Sequence, residues 1–308
     1  MGRFPKLTAS ELTAMLEPPS GPVDMVLDTD TYNEIDDQFA VVYALLSPNL
    51  TVRGLYAAPF HNSRSDGPGD GMERSYQEIL RLIKHLGVGD RDRVLRGSEA
   101  YLPSADTPVD SPAARDLVAQ ARAPRQGPLY VLAIGAITNV ASALLMAPDI
   151  VNRIVVVWLG GHPYYWPNTV EFNLRQDVPA ARVVFDSGVP LVHVPCKNVA
   201  EHLRTTLPEM AANVDGRGAI GNYLYSIYKD FVPAERARSK VIWDISTVAY
   251  LNNPTWVPTE LAPSPILRDD VTWGPVDTGR HVVRVATDLR RDAVFADLFR
   301  LLEEHAAK

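Results

Sequence analysis

The sequence has little cysteine, no long apolar run and no excess of positive charge. Its single cysteine, Cys196, excludes an internal disulfide bond. No apolar run is long enough to span a bilayer, and residues 1–22 are polar and contain proline, unlike an apolar signal peptide. Lysine and arginine (30) are outnumbered by aspartate and glutamate (37), and the net charge of −7 argues against a nucleic-acid-binding surface. We therefore expect a cytoplasmic protein that binds neither nucleic acids nor membranes.

Apolar residues make up 46% of the 308 positions, which is enough for one large core. Strand-like apolar runs alternate with helix-like segments, and this alternation is typical of a mainly parallel sheet. We predict one α/β domain over 1–308, with helices on a central, mostly parallel sheet and an N-terminal extension over 1–22. The predicted strands are 23–28, 52–58, 129–134, 154–159, 191–194 and 281–286, and the predicted helices are 36–46, 73–86, 113–123, 138–146, 179–185, 208–228, 244–251 and 292–305.

The most informative segment is an acidic loop between the first predicted strand and the first predicted helix. A parallel sheet places such a loop at the carboxyl edge of the sheet, where ligands bind. Neighbouring carboxylates repel each other, so they need a cation, protonation or another partner. Oxygen ligands favour a hard cation, Ca²⁺ or Mg²⁺. The loop contains four aspartates and one glutamate: Asp28, Asp30, Glu34, Asp36 and Asp37.

Helix capping is a second explanation for part of this loop. Acidic residues at the beginning of a helix cap it and interact favourably with its dipole, which explains Asp36 and Asp37 equally well. Asp28 and Asp30 do not fit that explanation, because strands disfavour aspartate and alternate strand residues point to the same side. The strand end is therefore the stronger indication of a site.

Two further turns have ordinary structural explanations. Gly135 follows the third predicted strand, where glycine permits a close backbone approach, and Thr138 or Asn139 is expected to cap the next helix. Residues 62–71 form a glycine-rich loop after the second strand, which is either a mobile flap over the site or an ordinary surface loop.

A third segment combines paired glycines with amide and carboxylate side chains. Gly160-Gly161 ends an apolar strand and is followed by His162, which we expect to be an ordinary loop histidine. Asparagine and glutamate suit the binding of sugar hydroxyls, although a solvated loop explains them equally well. The side chains expected to bind such a ligand are Asn168, Glu171 and Asn173.

The fourth segment is Trp243-Asp244, at the beginning of a predicted helix. Asp244 is explained by capping and Trp243 by burial in the core. An aromatic ring beside a carboxylate also suits a pocket for a heterocyclic base.

These four segments together resemble the nucleoside hydrolase family, the inosine-uridine-preferring N-ribohydrolases. That family carries an Asp-x-Asp-Pro-Gly-x-Asp-Asp signature after its first strand, then a Gly-Pro-Leu-Thr-Asn turn, a Glu-Phe-Asn segment before a helix-starting aspartate, and a late aspartate that opens a helix. The resemblance implies a Rossmann-like core and a homodimer or homotetramer. The corresponding residues occur in the same order: Asp28-Thr29-Asp30 with Asp36-Asp37, Gly135-Ala136-Ile137-Thr138-Asn139, Glu171-Phe172-Asn173 with Asp177, and Asp244.

The resemblance implies a Ca²⁺ ion and assigns its ligands. Carried over to this sequence, the ligands are the carboxylates of Asp30, Asp37 and Asp244 and the main-chain carbonyl of Ile134. Asp30 is also implied as the general base that acts on the attacking water. An acidic pocket suits N-glycosidic cleavage, because positive charge builds up on the ribosyl ring in the transition state.

The same resemblance implies which residues bind the sugar of a nucleoside substrate. Asp36 is expected to bind the 2′-hydroxyl, Asn173 the 3′-hydroxyl and Glu171 the 5′-hydroxyl. Asn62 corresponds to an asparagine that lies at the ribose in the family, although His61 replaces the glycine before it.

Two departures from the family pattern bear on the substrate. The first acidic loop lacks Pro-Gly and is two residues longer, so Asn33 and Glu34 are expected near the pocket. The residue before the late aspartate is Trp243, as in purine-preferring members, where pyrimidine-preferring or nonspecific members have histidine. Tryptophan is not a useful acid, but it can stack on a base. We therefore expect a purine-like leaving group, with Trp243 contributing to catalysis.

Two other functions are compatible with parts of the sequence. The first motif also resembles that of haloacid-dehalogenase-type phosphatases, with Asp28 as nucleophile, Asp30 as acid, Lys197 as the later lysine and Asp269-Asp270 as a poor match to the late acidic pair. That alternative leaves the other three motifs unexplained. A non-catalytic ribose- or nucleoside-binding protein on the same fold is the remaining alternative.

Overall fold

The central feature of the computed structural model is an eight-stranded sheet with the order β3-β2-β1-β4-β5-β6-β10-β9. The structure describes residues 4–88, 91–232 and 237–308. Seven strands are parallel, and β9 at one edge pairs antiparallel with β10. The strands are β1 Val23–Thr29, β2 Leu50–Ala57, β3 Val94–Arg96, β4 Leu129–Ala133, β5 Ile154–Leu159, β6 Leu191–Val194, β9 Thr259–Pro263 and β10 Val282–Ala286, and β7 Arg204–Thr205 and β8 Lys240–Val241 form a separate antiparallel pair.

Helices cover both faces of the sheet, which explains why β4 and β5 are buried along their whole length. Two hydrophobic clusters lie on opposite faces: Val26 belongs to one of them and Leu27 to the other. The helices are α1 Ala9–Met15, α2 Asp36–Leu46, α3 Pro68–Leu86, α4 Pro112–Arg122, α5 Thr138–Met146, α6 Phe172–Gln176, α7 Val178–Asp186, α8 Leu207–Asn213, α9 Gly218–Phe231, α10 Ile245–Asn252 and α11 Arg291–Ala306.

The register of the inner strands brings two of the sequence motifs together. Asp28 in β1 lies opposite Ala133 in β4, and the backbone N–H of Ile134 donates to the carbonyl of Asp28 at 2.9 Å. The acidic loop after β1 and the turn after β4 therefore leave the sheet side by side. Their proximity follows from parallel pairing.

The predicted fold class is confirmed, but several element boundaries were wrong. The helix predicted over 208–228 is two helices, because Gly216 and Gly218 adopt positive φ angles (75° and 70°) between α8 and α9. Residues 68–71, assigned to a loop, form the first turn of α3, with Pro68 at a helix position that proline favours. The predictions also missed the short edge strands β3 and β9.

The N-terminal extension contains one helix that the sequence reading left out. Thr8 caps α1, and its side chain and that of Glu11 form a reciprocal capping box. Leu12 and Leu16 are buried in the core, so this segment is attached to the domain. Within the described residues, no helix combines the length and the apolar character that crossing a bilayer requires.

Candidate active site

A cavity of about 310 Å³ lies where β1, β4, β5 and β6 end at their carboxyl termini. Its lining is strongly acidic and contains three amide side chains, Asn33, Asn62 and Asn173. Phe172 and Trp243 supply aromatic surface. The lining carboxylates are Asp30, Glu34, Asp36, Asp37, Glu171 and Asp244.

Three of these carboxylates form a compact buried cluster. Oxygen atoms of Asp36, Asp37 and Asp244 lie within 4.8 Å of one another, although Asp244 is about 200 residues away in sequence. None is occupied in helix capping: the N-cap of α2 is Ile35, and Asp244 precedes α10 without a side-chain capping bond. Asp36 and Asp37 therefore do not cap α2, although both lie in its first turn, where the helix dipole favours acidic side chains. The cluster has the oxygen-only donors that hard cations prefer.

Asp30 lies beside this cluster, and both of its carboxylate oxygens lack a hydrogen-bond partner in the described residues. It is not one of the three carboxylates gathered within 4.8 Å, although it lines the same cavity. Burial raises its pKa, and the charge of Asp37 raises it further. Burying a carboxylate without a partner destabilises the folded protein, and a bound cation would remove that cost, so this position fits a cation.

Burial and neighbouring charges also raise the pKa values of Asp37 and Asp244. Burial and the charge of Asp36 raise the pKa of Asp37 to about 8, although the Thr29 hydroxyl donates to it at 2.5 Å. Burial and the charge of Asp37 raise the pKa of Asp244 as well. A nearby positive charge stabilises the ionised form of such carboxylates. The residues present therefore fit a metal ion.

Lys240 supplies one positive charge that the sequence reading missed. Its ammonium donates to Glu34 at 2.5 Å and to Asp36 at 3.3 Å, and its side chain is 11% exposed. Burial acts to lower its pKa, but the charges of Asp36 and Glu34 outweigh burial and raise it. Lys240 lies in β8, and no pattern of polar and apolar residues around it in the sequence indicates a functional site.

The longer first loop is tied down by the segment that follows β2. The side-chain amide of Asn62 donates to Asn33 at 2.6 Å, and Arg64 donates to the carbonyl of Glu34 at 3.2 Å. Arg64 also lies over the Tyr32 ring at 4.3 Å. Asn33 and Glu34 therefore reach the cavity, as expected from the loop length.

The turn after β4 positions backbone atoms at the cavity. The carbonyl of Ile134 accepts from the Asn173 side-chain amide at 3.2 Å, so these two predicted site residues touch. A Cβ on Gly135 would lie 3.0 Å from Cγ of Asp30, which explains the glycine. The expected cap by Thr138 or Asn139 is wrong, because Thr138 donates to Asp177 at 2.7 Å and Asn139 donates to Asp28 at 2.7 Å.

Glu171 and Asn168 behave differently from the polar pair expected at the sugar. The Glu171 carboxylate lines the cavity but accepts from the backbone N–H groups of Gly161, Asn173 and Leu174. Asn168 is exposed and does not line the cavity, because its side-chain oxygen accepts from the backbone of Val170 at 3.1 Å. Asn168 therefore lies outside the cavity lining, and its expected contact with the substrate stays a prediction.

The phosphatase alternative lacks a nucleophile at the cavity. Asp28 is fully buried, accepts from Asn139 and does not line the cavity. Burial raises its pKa to about 7. Asp269 pairs with Arg182 and Asp270 with Thr272 in an exposed loop, so the acidic pair this alternative requires is absent from the cavity.

A parallel sheet with carboxylates gathered at its carboxyl edge defines an α/β protein with a site able to hold a metal ion. The model of the family described as inosine-uridine preferring nucleoside hydrolase matches residues 25–296. The chain therefore belongs to this family of enzymes, which act on N-glycosidic bonds.

Curated relatives agree with this assignment. Over 259 residues the chain is 28% identical to the pyrimidine-specific ribonucleoside hydrolase RihB of Escherichia coli O157:H7 (strain EC4115 / EHEC), covering 77% of this chain and 80% of the relative. It is 30% identical over 191 residues to the pyrimidine-specific ribonucleoside hydrolase RihA of Klebsiella pneumoniae (strain 342). That second match covers 54% of this chain and 58% of the relative, which is less than two thirds of its length.

Solved structures show the same fold at lower sequence identity. An inosine-guanosine nucleoside hydrolase superposes with a TM-score of 0.74 at 18% identity, covering 91% of this chain and 98% of the other. A purine-preferring ribonucleoside hydrolase from Gardnerella vaginalis superposes with a TM-score of 0.68 at 22% identity, covering 92% and 99%. At these identities the likeness establishes the fold.

Proposed function

We propose that this protein is a Ca²⁺-dependent hydrolase that cleaves the N-glycosidic bond of a ribonucleoside with a purine-like base, releasing ribose and the free base. The observation that carries this proposal is the buried cluster of Asp36, Asp37 and Asp244 beside the carboxylate of Asp30, which has no hydrogen-bond partner within residues 4–88, 91–232 and 237–308. In this proposal Asp30, Asp37, Asp244 and the Ile134 carbonyl hold Ca²⁺. When bound, the ion makes a coordinated water more acidic and orients vicinal hydroxyls.

The surrounding side chains have assigned roles in the proposal. Asp30 takes the proton of the attacking water, since its oxygens have no other partner in the described residues. Asp36 accepts from the 2′-hydroxyl, and Asn173 and Asn62 bind the ribose from the opposite loops. Glu171, which lines the cavity, binds the 5′-hydroxyl. The carboxylates together favour a ring that becomes positively charged in the transition state.

Trp243 supports a purine-like base. It lines the cavity next to Asp244, and its backbone N–H donates to Asp36 at 3.3 Å, which fixes its place beside the cluster. Stacking on an aromatic ring contributes about 0.5–1.5 kcal/mol beyond buried area, and a two-ring base offers more surface than a one-ring base. The curated relatives RihA and RihB are named pyrimidine-specific, so base preference is the first property to measure.

The test is a panel of purine and pyrimidine ribonucleosides assayed for released base, with Ca²⁺ and with a chelator. We expect release from purine ribonucleosides with Ca²⁺ and loss of release with the chelator. If the protein binds ribose or a ribonucleoside but releases no free base, the result would instead favour the non-catalytic nucleoside-binding alternative. We also propose that the protein is cytoplasmic and forms a homodimer or homotetramer. Measurement of its size in solution tests the oligomeric state.

A further inference from the structure

Two threonines flank Asp30 and connect the beginning of the acidic loop to its end. The Thr29 hydroxyl donates to Oδ1 of Asp37 at 2.5 Å, and the hydroxyl oxygens of Thr29 and Thr31 lie 2.9 Å apart. Both threonines are fully buried. These two residues, the threonine pair, therefore link the end of β1 to a carboxylate of the acidic cluster.

The direction of the two hydrogen bonds follows from the protons that the side chains carry. A threonine hydroxyl has one proton to donate, and an ionised carboxylate can only accept. Because Thr29 donates its proton to Asp37, the other hydrogen bond is donated by Thr31 to the Thr29 oxygen. Thr31 thus holds the Thr29 hydroxyl in the orientation in which it donates to Asp37.

The backbone fixes both threonines. Thr29 is the last residue of β1, and its carbonyl accepts from the N–H of Ala58 at 2.8 Å. Thr31 lies in a turn in which the N–H of Asn33 donates to the carbonyl of Asp30 at 2.7 Å. The threonine pair is therefore attached to the edge of the sheet, and it orients a side chain that belongs to the first turn of α2.

A hydroxyl that donates to one carboxylate oxygen restricts the rotation of the carboxylate and stabilises its ionised form. Both effects suit a metal ligand, which must be deprotonated and correctly oriented to bind the ion. Asp37 has particular need of a donor, because its carboxylate lies in a buried cluster with those of Asp36 and Asp244.

Thr31 belongs to the longer acidic loop of this chain. It stands where the Asp-x-Asp-Pro-Gly signature of the family has proline, which carries no hydroxyl. A longer loop has more conformational freedom, and the threonine pair ties the residue before the loop to Asp37 after it. We propose that Thr29 and Thr31 are positioning residues that orient the Asp37 carboxylate for Ca²⁺. This role rests on the proposed function, in which Asp37 is a metal ligand.

The experiment measures the affinity of the metal-free protein for Ca²⁺ alone by titration calorimetry. Loss of a side chain that orients a metal ligand weakens affinity about 10–100-fold, and we expect a loss of this size in Thr29→Val. Thr29→Ser keeps the hydroxyl and should restore most of the affinity. Thr31→Val removes only a hydrogen bond between neutral groups, so it should weaken affinity about fivefold.

The double variant distinguishes a connected pair from two independent contacts. Because Thr31 acts through Thr29, adding Thr31→Val to Thr29→Val should cause no further loss of Ca²⁺ affinity. Full losses from both substitutions in the double variant would overturn the connection between the two hydroxyls.

Thr205→Val is the matched control. Thr205 is buried and its hydroxyl donates to the Glu209 carboxylate at 2.6 Å, but neither residue lines the cavity. This substitution should lower stability, because it removes the same kind of hydrogen bond, and it should leave Ca²⁺ affinity unchanged.

Unfolding in chelator is measured for each variant, so that a loss of folding is not mistaken for a loss of metal affinity. A folded Thr29→Val variant that binds Ca²⁺ as tightly as the wild type overturns the positioning role and leaves the proposed function intact. If Thr29→Val does not fold, Thr31→Val decides, and unchanged affinity in that variant overturns the role. If the wild type binds no Ca²⁺, the positioning role and the metal dependence of the proposed function fail together.

Discussion

The ammonium of Lys240 lies 3.3 Å from the carboxylate of Asp36, and this contact joins two elements that are 204 residues apart in sequence. The same ammonium donates to Glu34 in the longer first loop. Lys240 is therefore a built-in counter-ion that attaches the acidic loop to β8. Its charge compensates part of the repulsion among the buried carboxylates.

Replacing Lys240 with methionine is expected to destabilise the metal-free protein. Removing one partner of a buried ion pair leaves the other charge uncompensated and costs about 3 kcal/mol. We expect a lower free energy of unfolding in chelator, measured by denaturant titration, and a partial recovery in Ca²⁺, because the ion supplies the missing positive charge. Lys84→Met, at an exposed position of α3, is the matched control and should leave stability nearly unchanged. Equal stability of the wild type and Lys240→Met in chelator would contradict the counter-ion role.

Asp30→Asn is expected to stabilise the metal-free protein while it abolishes activity. The carboxylate is buried and repelled by Asp37, and it has no hydrogen-bond partner among the described residues, so a neutral amide removes an unfavourable charge. Loss of a general base lowers kcat by about 10²–10⁴-fold. Thermal unfolding in chelator and base release in Ca²⁺ give the two readouts.

Asp28→Asn is the control for that variant, because Asp28 is also fully buried but does not line the cavity. It should change stability without a comparable loss of turnover. If Asp30→Asn retained wild-type turnover, Asp30 would not be the base.

Trp243→Ala is expected to lower kcat/KM for purine ribonucleosides about tenfold, since it removes the ring that stacks on the base. Uridine should be affected less, because a one-ring base covers less of the indole. The readout is the ratio of inosine to uridine kcat/KM, and Trp256→Ala, outside the cavity, is the control. An unchanged ratio would refute the role of Trp243 in base preference.

His193 is expected to make the protein sensitive to acid. It is fully buried, its Nε2–H donates to the carbonyl of Gly160 at 2.6 Å, and its ring stacks on Tyr164 at 5.4 Å. Burial lowers its pKa to about 4. Below about pH 6.5 this histidine is protonated in the unfolded chain but stays neutral in the folded protein. The free energy of unfolding therefore falls by up to about 3 kcal/mol as the pH approaches 4.

The measurement is the difference in unfolding free energy between the wild type and His193→Phe from pH 7 to 4. A difference is needed because the acidic cluster, with its raised pKa values, titrates with the opposite sign. The wild type should lose stability relative to the variant over this range. Parallel curves for the wild type and His193→Phe would rule out the histidine as the source.

The fold was predictable because its inner strands carry a strong signal, whereas the site was predictable only in part. Apolar runs such as those of β4 and β5 indicate strands buried on both faces, and the first acidic loop indicates a ligand site at their ends. In the edge strand β9, polar and apolar residues alternate too weakly to predict a strand. The break between α8 and α9, before Gly218, lies inside a sequence pattern that is otherwise helical.

The missed site residues depend on tertiary contacts. Lys240 reaches Asp36 only because the β7–β8 pair folds back beside α2, and no local pattern in the sequence indicates that proximity. The sequence also did not show that the Asn168 side chain accepts from the backbone of Val170, because an asparagine that caps its own turn looks, in sequence, the same as one that faces a ligand. The sequence predicts an ordinary loop histidine at His162, because only the folded chain shows that its Nδ1 is buried with no hydrogen-bond partner in the described part of the chain.

The two edges of the sheet restrict how copies of this chain can associate. At one edge β3 is only three residues long, and at the other β9 follows Pro258 and ends at Pro263, neither of which has an N–H to offer a neighbouring strand. Both edges therefore discourage continuous sheet formation between molecules, and with it aggregation. Subunits that assemble are expected to meet through helices and loops, which leaves the sheet of each copy complete in itself.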